Sequence, residues 1–316
     1  MKLLRSTEKI PEFSKGTVVT IGNFDGVHLG HQALLSQLKT ESLKRQLPLV
    51  VVLFEPQPNE FFLKDKAPAR LSTLREKIKA FASCGVDYVV CLRFNQTLAH
   101  MPAQQFAETY FFFRLHCRYL LIGNDFQFGY QRQGNITLLR AIAESNNCLI
   151  EIFSDILINN RRISSTKVRE ALFHGELEEA RKLLGRSYSM SGRVVRGNGQ
   201  GRQWGIPTAN LALSKRILPL KGVYCVEVQR ENGACFNGVA NVGCRPTLDG
   251  SKNVLEVHLF DCNDSLYQER LQINFLHKLR DEQKFDSKEQ LIKQIYQDVT
   301  EAKAYFSARS VTCSLS

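Results

Sequence analysis

Five short apolar runs rich in β-formers punctuate the first half of the chain: TVVTI (17–21), LVVVLF (49–54), YVVCL (88–92), RYLLIG (118–123) and CLIEIF (148–153). Stretches with helical apolar spacing separate them. One begins near Gly30 and runs through ALLSQLKTESLKRQ with leucines on one face. Another, STLREKIKAFASCG, opens at a Ser/Thr cap and closes on Gly85. Strand alternating with helix predicts an α/β domain, a doubly wound parallel sheet. After about residue 186 the texture changes to Gly-punctuated strand candidates, SGRVV, GVYCVEVQ, ACFNGVANVG and VLEVHLF, which predict an all-β antiparallel barrel or sandwich. SKEQLIKQIYQDVTEAKAYF (287–306) predicts a helix packed on it. The boundary falls in GRSYSMSG (185–192), giving domains 1–186 and 187–316.

Size agrees with this division, because 316 residues at 43% hydrophobic composition support two cores. No apolar run approaches the roughly 18 to 20 residues of a membrane span, and MKLLRSTEKIPEFSKG lacks a signal-peptide hydrophobic region, so the expectation is a cytoplasmic protein. The nine cysteines are scattered, odd in number and never in a CxxC pair, the pattern of reduced thiols filling a core. A net charge of +11 permits a nucleic-acid partner, but no dense basic tract with interleaved aromatics carries it, and a basic surface equally suits polyanionic small substrates such as ATP.

The first candidate site is Gly22-Asn23-Phe24-Asp25-Gly26-Val27-His28-Leu29-Gly30-His31, directly after the first strand and opening into a helix. The carboxyl end of a strand in an open α/β sheet, followed by a helix N-terminus with glycines, makes a phosphate site. His28 and His31 are one turn apart, so both imidazoles can hydrogen-bond one polyphosphate and stabilise charge at the α-phosphorus. Two ordinary histidines, or a metal pair, are the alternative. Ile163-Ser164-Ser165-Thr166-Lys167-Val168-Arg169 offers hydroxyls at a second helix start plus a planar cation in Arg169, suited to the β- and γ-phosphates; a plain N-cap run is the alternative.

In the second half, Gly197, Gly199 and Gly201 precede Gly205-Ile206-Pro207-Thr208-Ala209-Asn210. The glycines are not a dinucleotide fingerprint, since no helix is expected after them and Pro207 arrives quickly; they read as a flap able to fold over phosphates, or as a mobile loop of no function. Thr208 and Asn210 are hard oxygen donors suited to Mg²⁺ bridging ATP phosphates.

GNFDGVHLGH resembles the HxGH signature of nucleotidyltransferases in the longer form seen in bacterial FAD synthetases. Gly192-Arg193 through Gly205-Ile206-Pro207-Thr208-Ala209-Asn210, NVGCRPT (241–247), LEVHLFD (255–261) and LRDEQKF (279–285) resemble the riboflavin kinase signature. From about residue 14 to 306 the chain is similar to the bifunctional riboflavin kinase/FAD synthetase family. The resemblance implies FMN adenylyltransferase chemistry in the first domain and riboflavin kinase chemistry in the second, with riboflavin, FMN and ATP as substrates, FAD as product and Mg²⁺ as cofactor. It further implies that Gly22, Asn23, Phe24, Asp25, Gly30, Asn124, Asp125, Ser164, Ser165 and Thr166 bind the adenylyl-donating ATP, with His28, His31 and Arg169 catalytic. Phe54, Pro56, Pro58, Phe62 and Phe128, together with Arg280 and Glu282, would meet the flavin. Gly197, Gly199, Gly201, Arg202, Pro207, Thr208 and Asn210 would bind the kinase ATP.

A kinase acting on a hydroxyl needs a base, and Glu256 is the candidate. Strand alternation puts Val254, Glu256, His258 and Phe260 on one face, opposite Leu255, Val257 and Leu259. An exposed strand face, or for Arg280 and Glu282 a surface charge run, is the alternative. Asn124, Gln268, Arg196, Asn198 and Leu248 depart from the family pattern. No nucleic-acid or membrane partner is expected, protein partners stay open, and the expected state is a monomer or weak oligomer. Two rivals stay open: a nucleotidyltransferase for another phosphorylated acceptor, and a basic nucleic-acid-binding barrel.

Overall fold

The computed structural model describes every residue except 6–9, 155, 159–160, 198, 214–216, 248–249, 263 and 314–316. The departures at Asn198 and Leu248 lie outside the described residues. Contacts divide the chain into two compact units, Met1–Pro68 with Ser72–Ser165, and Ala69–Leu71 with Thr166–Ser316.

The first unit is built on strands β1 (Lys2–Leu4), β2 (Thr17–Ile21), β3 (Leu49–Glu55), β4 (Tyr88–Arg93), β5 (Cys117–Gly123) and β6 (Leu149–Phe153). They form one parallel sheet in the order β1-β4-β3-β2-β5-β6. The chain winds outward in one direction from β2, then returns to add β5 and β6 on the other side. The doubly wound expectation holds, with β1 as an edge strand that the short MKLL run did not advertise. Every residue of β2 is buried because both faces are covered. Val18, Val51 and Leu53 pack under α1 (Leu29–Arg45) with Leu34, Leu35 and Leu38, while Val19, Ile21, Val50 and Val52 pack with Phe106, Phe111 and Leu139 on the other face. Leu43 leaves the leucine face and is exposed.

After β3, Pro58 opens the short helix α2 (Pro58–Leu63). Helix α3 (Leu74–Ser83) begins at the expected Ser/Thr cap: Thr73 accepts from the Glu76 amide and Glu76 accepts from the Thr73 amide, a reciprocal capping box. A two-stranded ribbon of β7 (Leu157–Ile158) and β8 (Arg161–Arg162) precedes Ser164.

The second unit holds a closed antiparallel barrel of β9 (Ser189–Val195), β10 (Ala209–Ala212), β11 (Gly222–Arg230), β12 (Cys235–Thr247), β13 (Gly250–Leu259) and β14 (Arg270–Arg280), in the order β10-β13-β12-β11-β14-β9. β9 and β10 also pair, which closes it. Tyr224, Val226, Val228, Val257, Ile273 and Phe275 are fully or almost fully buried, the alternating inward positions of a small filled barrel. The outward Val223, Cys225 and Val239 are covered by the C-terminal helix Lys288–Cys313 through Ala302 and Phe306.

Two expectations change. A single helical turn, Gln200–Gln203, does form at the last of the loop glycines. Phe260 stands past the end of β13 but stays on the outward side with Glu256 and His258, its ring packed against His258 and Phe306. Among the described thiols Cys91, Cys117 and Cys225 are core residues, but Cys235 is exposed.

Candidate active sites

In the first unit, β2 delivers the chain into a tight turn. Phe24 (φ 46°), Gly26 (φ 84°) and Val27 (φ 42°) all lie in the left-handed region, which suits glycine and is a strained position for a β-branched residue, about 1–3 kcal/mol. Several hydrogen bonds hold the turn: the Ser72 amide donates to Asp25 Oδ1 at 3.0 Å, the Gly26 amide to Ser72 Oγ at 2.9 Å, Ser165 Oγ to the Asp25 carbonyl at 2.8 Å, and Lys77 Nζ to the Asn23 carbonyl at 2.6 Å.

The turn ends on His28, the N-cap of α1, whose Nδ1 accepts from the His31 amide at 3.3 Å. An accepting Nδ1 leaves the proton of the neutral ring on Nε2, where it can be donated. The His28 and His31 rings stack at 3.6 Å, 17° from parallel. A side chain at Gly30 would stand 3.2 Å from His28 Nδ1, so the glycine leaves that ring its place. Burial first, then His28 and Lys77, hold the His31 imidazole well below its usual range. His31 is therefore neutral at physiological pH, and its buried Nδ1 has no hydrogen-bond partner.

These groups open on a pocket of about 300 Å³ lined by Gly22, Phe24, His28, Gly30 and His31 on one side. Gly123, Asp125, Phe126, Arg162, Ser164 and Ser165 line the other. Arg162 Nη2 lies 3.2 Å from Asp125 Oδ2. Beside the end of β3, Phe54, Phe61 and Phe62 cluster edge-on around Phe94 at centroid distances of 5.3 to 5.7 Å, with Phe62 61% exposed.

In the second unit, register sets a polar row across three strands. Asn210 on β10 faces Glu256 on β13, and Glu256 faces Asn241 on β12. All three line one pocket of about 280 Å³, with Gly199, Gly201, Thr208, Val223, Val239, Val254 and His258, roofed by Leu291, Ile295, Asp298 and Val299 of the C-terminal helix. His258 Nδ1 lies 2.8 Å from the Pro207 carbonyl, tying the end of the glycine loop to β13. Arg280 grips Asp298 in a bidentate pair, Nε and Nη2 each at 2.8 Å. Asp298 is 2% exposed, so this pair is shielded from water. A Cβ on Gly243 would overlap the Glu282 carboxylate, so that carboxylate lies directly on the backbone of β12.

Each half of the chain matches a known family. The FAD synthetase family matches residues 10–167 and the riboflavin kinase family residues 184–306. A bifunctional riboflavin kinase/FMN adenylyltransferase of Haemophilus influenzae is 44% identical over 308 residues, covering 98% of this chain and 100% of that protein. The protein so named from Escherichia coli K12 is 45% identical over 307 residues, covering 97% and 98%. The chain belongs to the bifunctional riboflavin kinase/FMN adenylyltransferase family. A crystal structure described as a macrolide-efflux protein from Streptococcus pneumoniae has a TM-score of 0.78 to it at 30% identity, covering 94% of this chain and 96% of that one. No helix among the described residues is long and apolar enough to cross a membrane.

Within this family frame the structure redistributes several expected roles. His28, His31, Gly22, Phe24, Gly30, Asp125, Ser164 and Ser165 converge on the first pocket. Asp25 does not: it is 2% exposed and spends its carboxylate on Ser72, bracing the turn. Asn23 contributes its carbonyl to Lys77, and Asn124 is exposed outside the pocket lining. Phe128 is a core residue stacked at 5.4 Å on Phe126, and Phe126 is the ring that faces the pocket, because the chain turns back at the Phe128–Gly134 bridge. Pro56 follows a cis peptide and Pro58 starts α2. Thr166 and Arg169 belong to the second unit, where Arg169 Nε donates to the Ala69 carbonyl.

In the second pocket Gly199, Gly201, Thr208, Asn210, Glu256, Arg280 and Glu282 come together, while Gly197, Arg202 and Pro207 stay outside the lining. Gly197 is nonetheless required, since a Cβ there would stand 2.4 Å from the Asn210 amide. Sequence reasoning missed Lys77, Ser72, Arg162, Phe126 and Asp298. Phe126 and Arg162 stand beside candidate site residues, whereas Ser72, Lys77 and Asp298 lie in segments read only as helices and reach the sites through tertiary contacts.

Proposed function

We propose that the chain makes FAD from riboflavin in two ATP-dependent steps, one in each pocket. In the second pocket the riboflavin 5′-hydroxyl attacks the γ-phosphorus of ATP, Glu256 takes the hydroxyl proton, and ADP leaves with the terminal bridging oxygen, giving FMN. In the first pocket a phosphate oxygen of FMN attacks the α-phosphorus of a second ATP, and diphosphate leaves, giving FAD. Neither step needs a covalent intermediate, because positioning and fixed donors supply the stabilisation.

The observation that carries this reading is that each family match contains one pocket with the donors its reaction requires. His28 and His31 can donate to the α-phosphate at the helix start, and the Ser164 and Ser165 hydroxyls suit the β- and γ-phosphates. Asp125 and the pocket-facing Phe126 suit the nucleotide, and the Phe54, Phe62 and Phe94 rings beside Pro56 and Pro58 suit the planar flavin. Thr166 and Arg169 are proposed to bind ATP phosphate.

Mg²⁺ fits the kinase pocket, because the Thr208 hydroxyl and Asn210 amide oxygen are hard donors on one wall and the glycine loop leaves them uncovered by side chains. When bound it would neutralise charge on the ATP phosphates. Arg280 and Glu282 are proposed to border the isoalloxazine ring, with Arg280 held in place by Asp298. We place the functional boundary at 186/187, near the start of the riboflavin kinase match at residue 184. Action in the cytoplasm as a monomer or weak oligomer completes the proposal. Supplying FMN, ATP and Mg²⁺ and measuring diphosphate tests the adenylyl step by itself: equal amounts of FAD and diphosphate support it, and diphosphate without FAD overturns it.

A further inference from the structure

Lys77 lies in the first turn of α3, and its side chain is 2% exposed. Two general effects oppose an ammonium at this position. Burial strips its hydration, and the first turn of a helix carries the positive end of the macrodipole, which favours anions. A role limited to packing would be met by Met or Leu without either penalty.

What Lys77 touches accounts for it. Its Nζ donates to the Asn23 carbonyl at 2.6 Å, at the point where β2 enters the turn with left-handed Phe24, Gly26 and Val27. Ser72 and Ser165 hold the later half of that turn through Asp25 and Gly26, and Lys77 holds its first residue. The same turn sets His28 as the cap of α1, and Phe24 carries the contact onward, its ring tilted over His31 at 4.9 Å. The charge of Lys77 also reaches His31, where with burial and His28 it disfavours protonation.

We propose that Lys77 is a positioning residue for adenylyl transfer: its buried side chain, through the hydrogen bond to the Asn23 carbonyl, fixes the Asn23–Val27 turn so that the His28 and His31 rings meet the α-phosphate, and it places a positive charge behind the pocket that receives the triphosphate. The inference rests on the adenylyltransferase reading of this pocket. The ionisable groups facing His31 are His28 on the cap and Lys77 from α3, with the Asp125–Arg162 pair across the pocket.

The test uses the full chain with Lys77→Met and Lys77→Arg, measuring FAD formation from supplied FMN, with riboflavin phosphorylation by the same preparation as the control for intact protein. In Lys77→Met we expect kcat for adenylylation to fall about 100-fold, the order of loss seen when catalytic groups are misplaced by an ångström. The KM for ATP rises, the acid limb of the pH profile moves to higher pH as His31 titrates more easily, and phosphorylation is unchanged. Lys77→Arg retains the charge and a donor and keeps adenylylation within about tenfold, by the same criterion of preserved placement, with the acid limb unmoved.

A folded Lys77→Met protein with wild-type adenylylation and an unmoved acid limb overturns the proposal. If Lys77→Met does not fold, Lys77→Arg decides, since loss of the step with wild-type thermal unfolding overturns it equally. Absence of FAD from FMN and ATP in the unmodified chain contradicts the reading of the pocket itself and is distinct from either result.

Discussion

Glu256 stands directly opposite Asn210 in the antiparallel register of β13 and β10. Their side chains share the outward face of the barrel, one strand separation apart, so a carboxylate able to take a proton lies beside an amide oxygen suited to a phosphate-bound cation. This neighbourhood, more than either residue alone, is what a hydroxyl kinase needs.

Glu256→Gln keeps the shape and removes the proposed base. Phosphorylation of riboflavin should fall about 10²- to 10⁴-fold, the range for loss of a general base. FAD formation from supplied FMN should be unchanged, and flavin chromatography measures both in the same protein.

His28→Ala removes both a helix cap and the proposed phosphate donor. Adenylylation should fall about 10²- to 10³-fold, as when one preorganised donor is lost. Riboflavin should then be converted to FMN that accumulates. Loss of both activities in a folded His28→Ala protein would contradict the separation of sites.

Asp298→Ala leaves the Arg280 guanidinium without its shielded partner. Removing one member of such a pair costs about 3 kcal/mol, seen as a lower urea midpoint for the barrel. The KM for riboflavin should rise more than the KM for ATP, because Arg280 is proposed to border the flavin.

His31 provides a pH signature. Its folded value is depressed by burial, so below the unfolded value of about 6.5 the unfolded chain binds the extra proton. Stability from this group is therefore complete above about pH 6.5 and declines as the pH falls through the window beneath it. Thermal midpoints recorded from pH 7.5 to 5 should fall more steeply for the unmodified chain than for His31→Gln.

Much of this architecture is visible in the sequence because local pattern and tertiary role coincide. TVVTI, LVVVLF and RYLLIG are strands wherever they pack, and Thr73 with Glu76 forms a capping box from contacts within one turn. β14 carries a legible alternation, Leu271, Ile273 and Phe275 buried on one face, but its charged end LRDEQKF draws attention away from it. β10 is only four residues long and hides inside the PTAN motif. The contacts of Lys77 and Asp25 are not legible in the sequence. A lysine in an amphipathic helix reads as solvated, and an aspartate in a ligand loop reads as a ligand, until the partners Asn23 and Ser72 are folded against them. That Phe126 lines the pocket while Phe128 is buried in the core follows from the turn after Gly123, which local pattern does not give.

The central claim is that one chain performs both steps. The most direct measurement incubates the purified chain with riboflavin, excess ATP and Mg²⁺ and resolves flavins by chromatography over time. We expect FMN to rise first and FAD to follow at its expense, with ADP and diphosphate as the other products. Riboflavin that remains unchanged, or FMN that forms and is never adenylylated, would contradict the account.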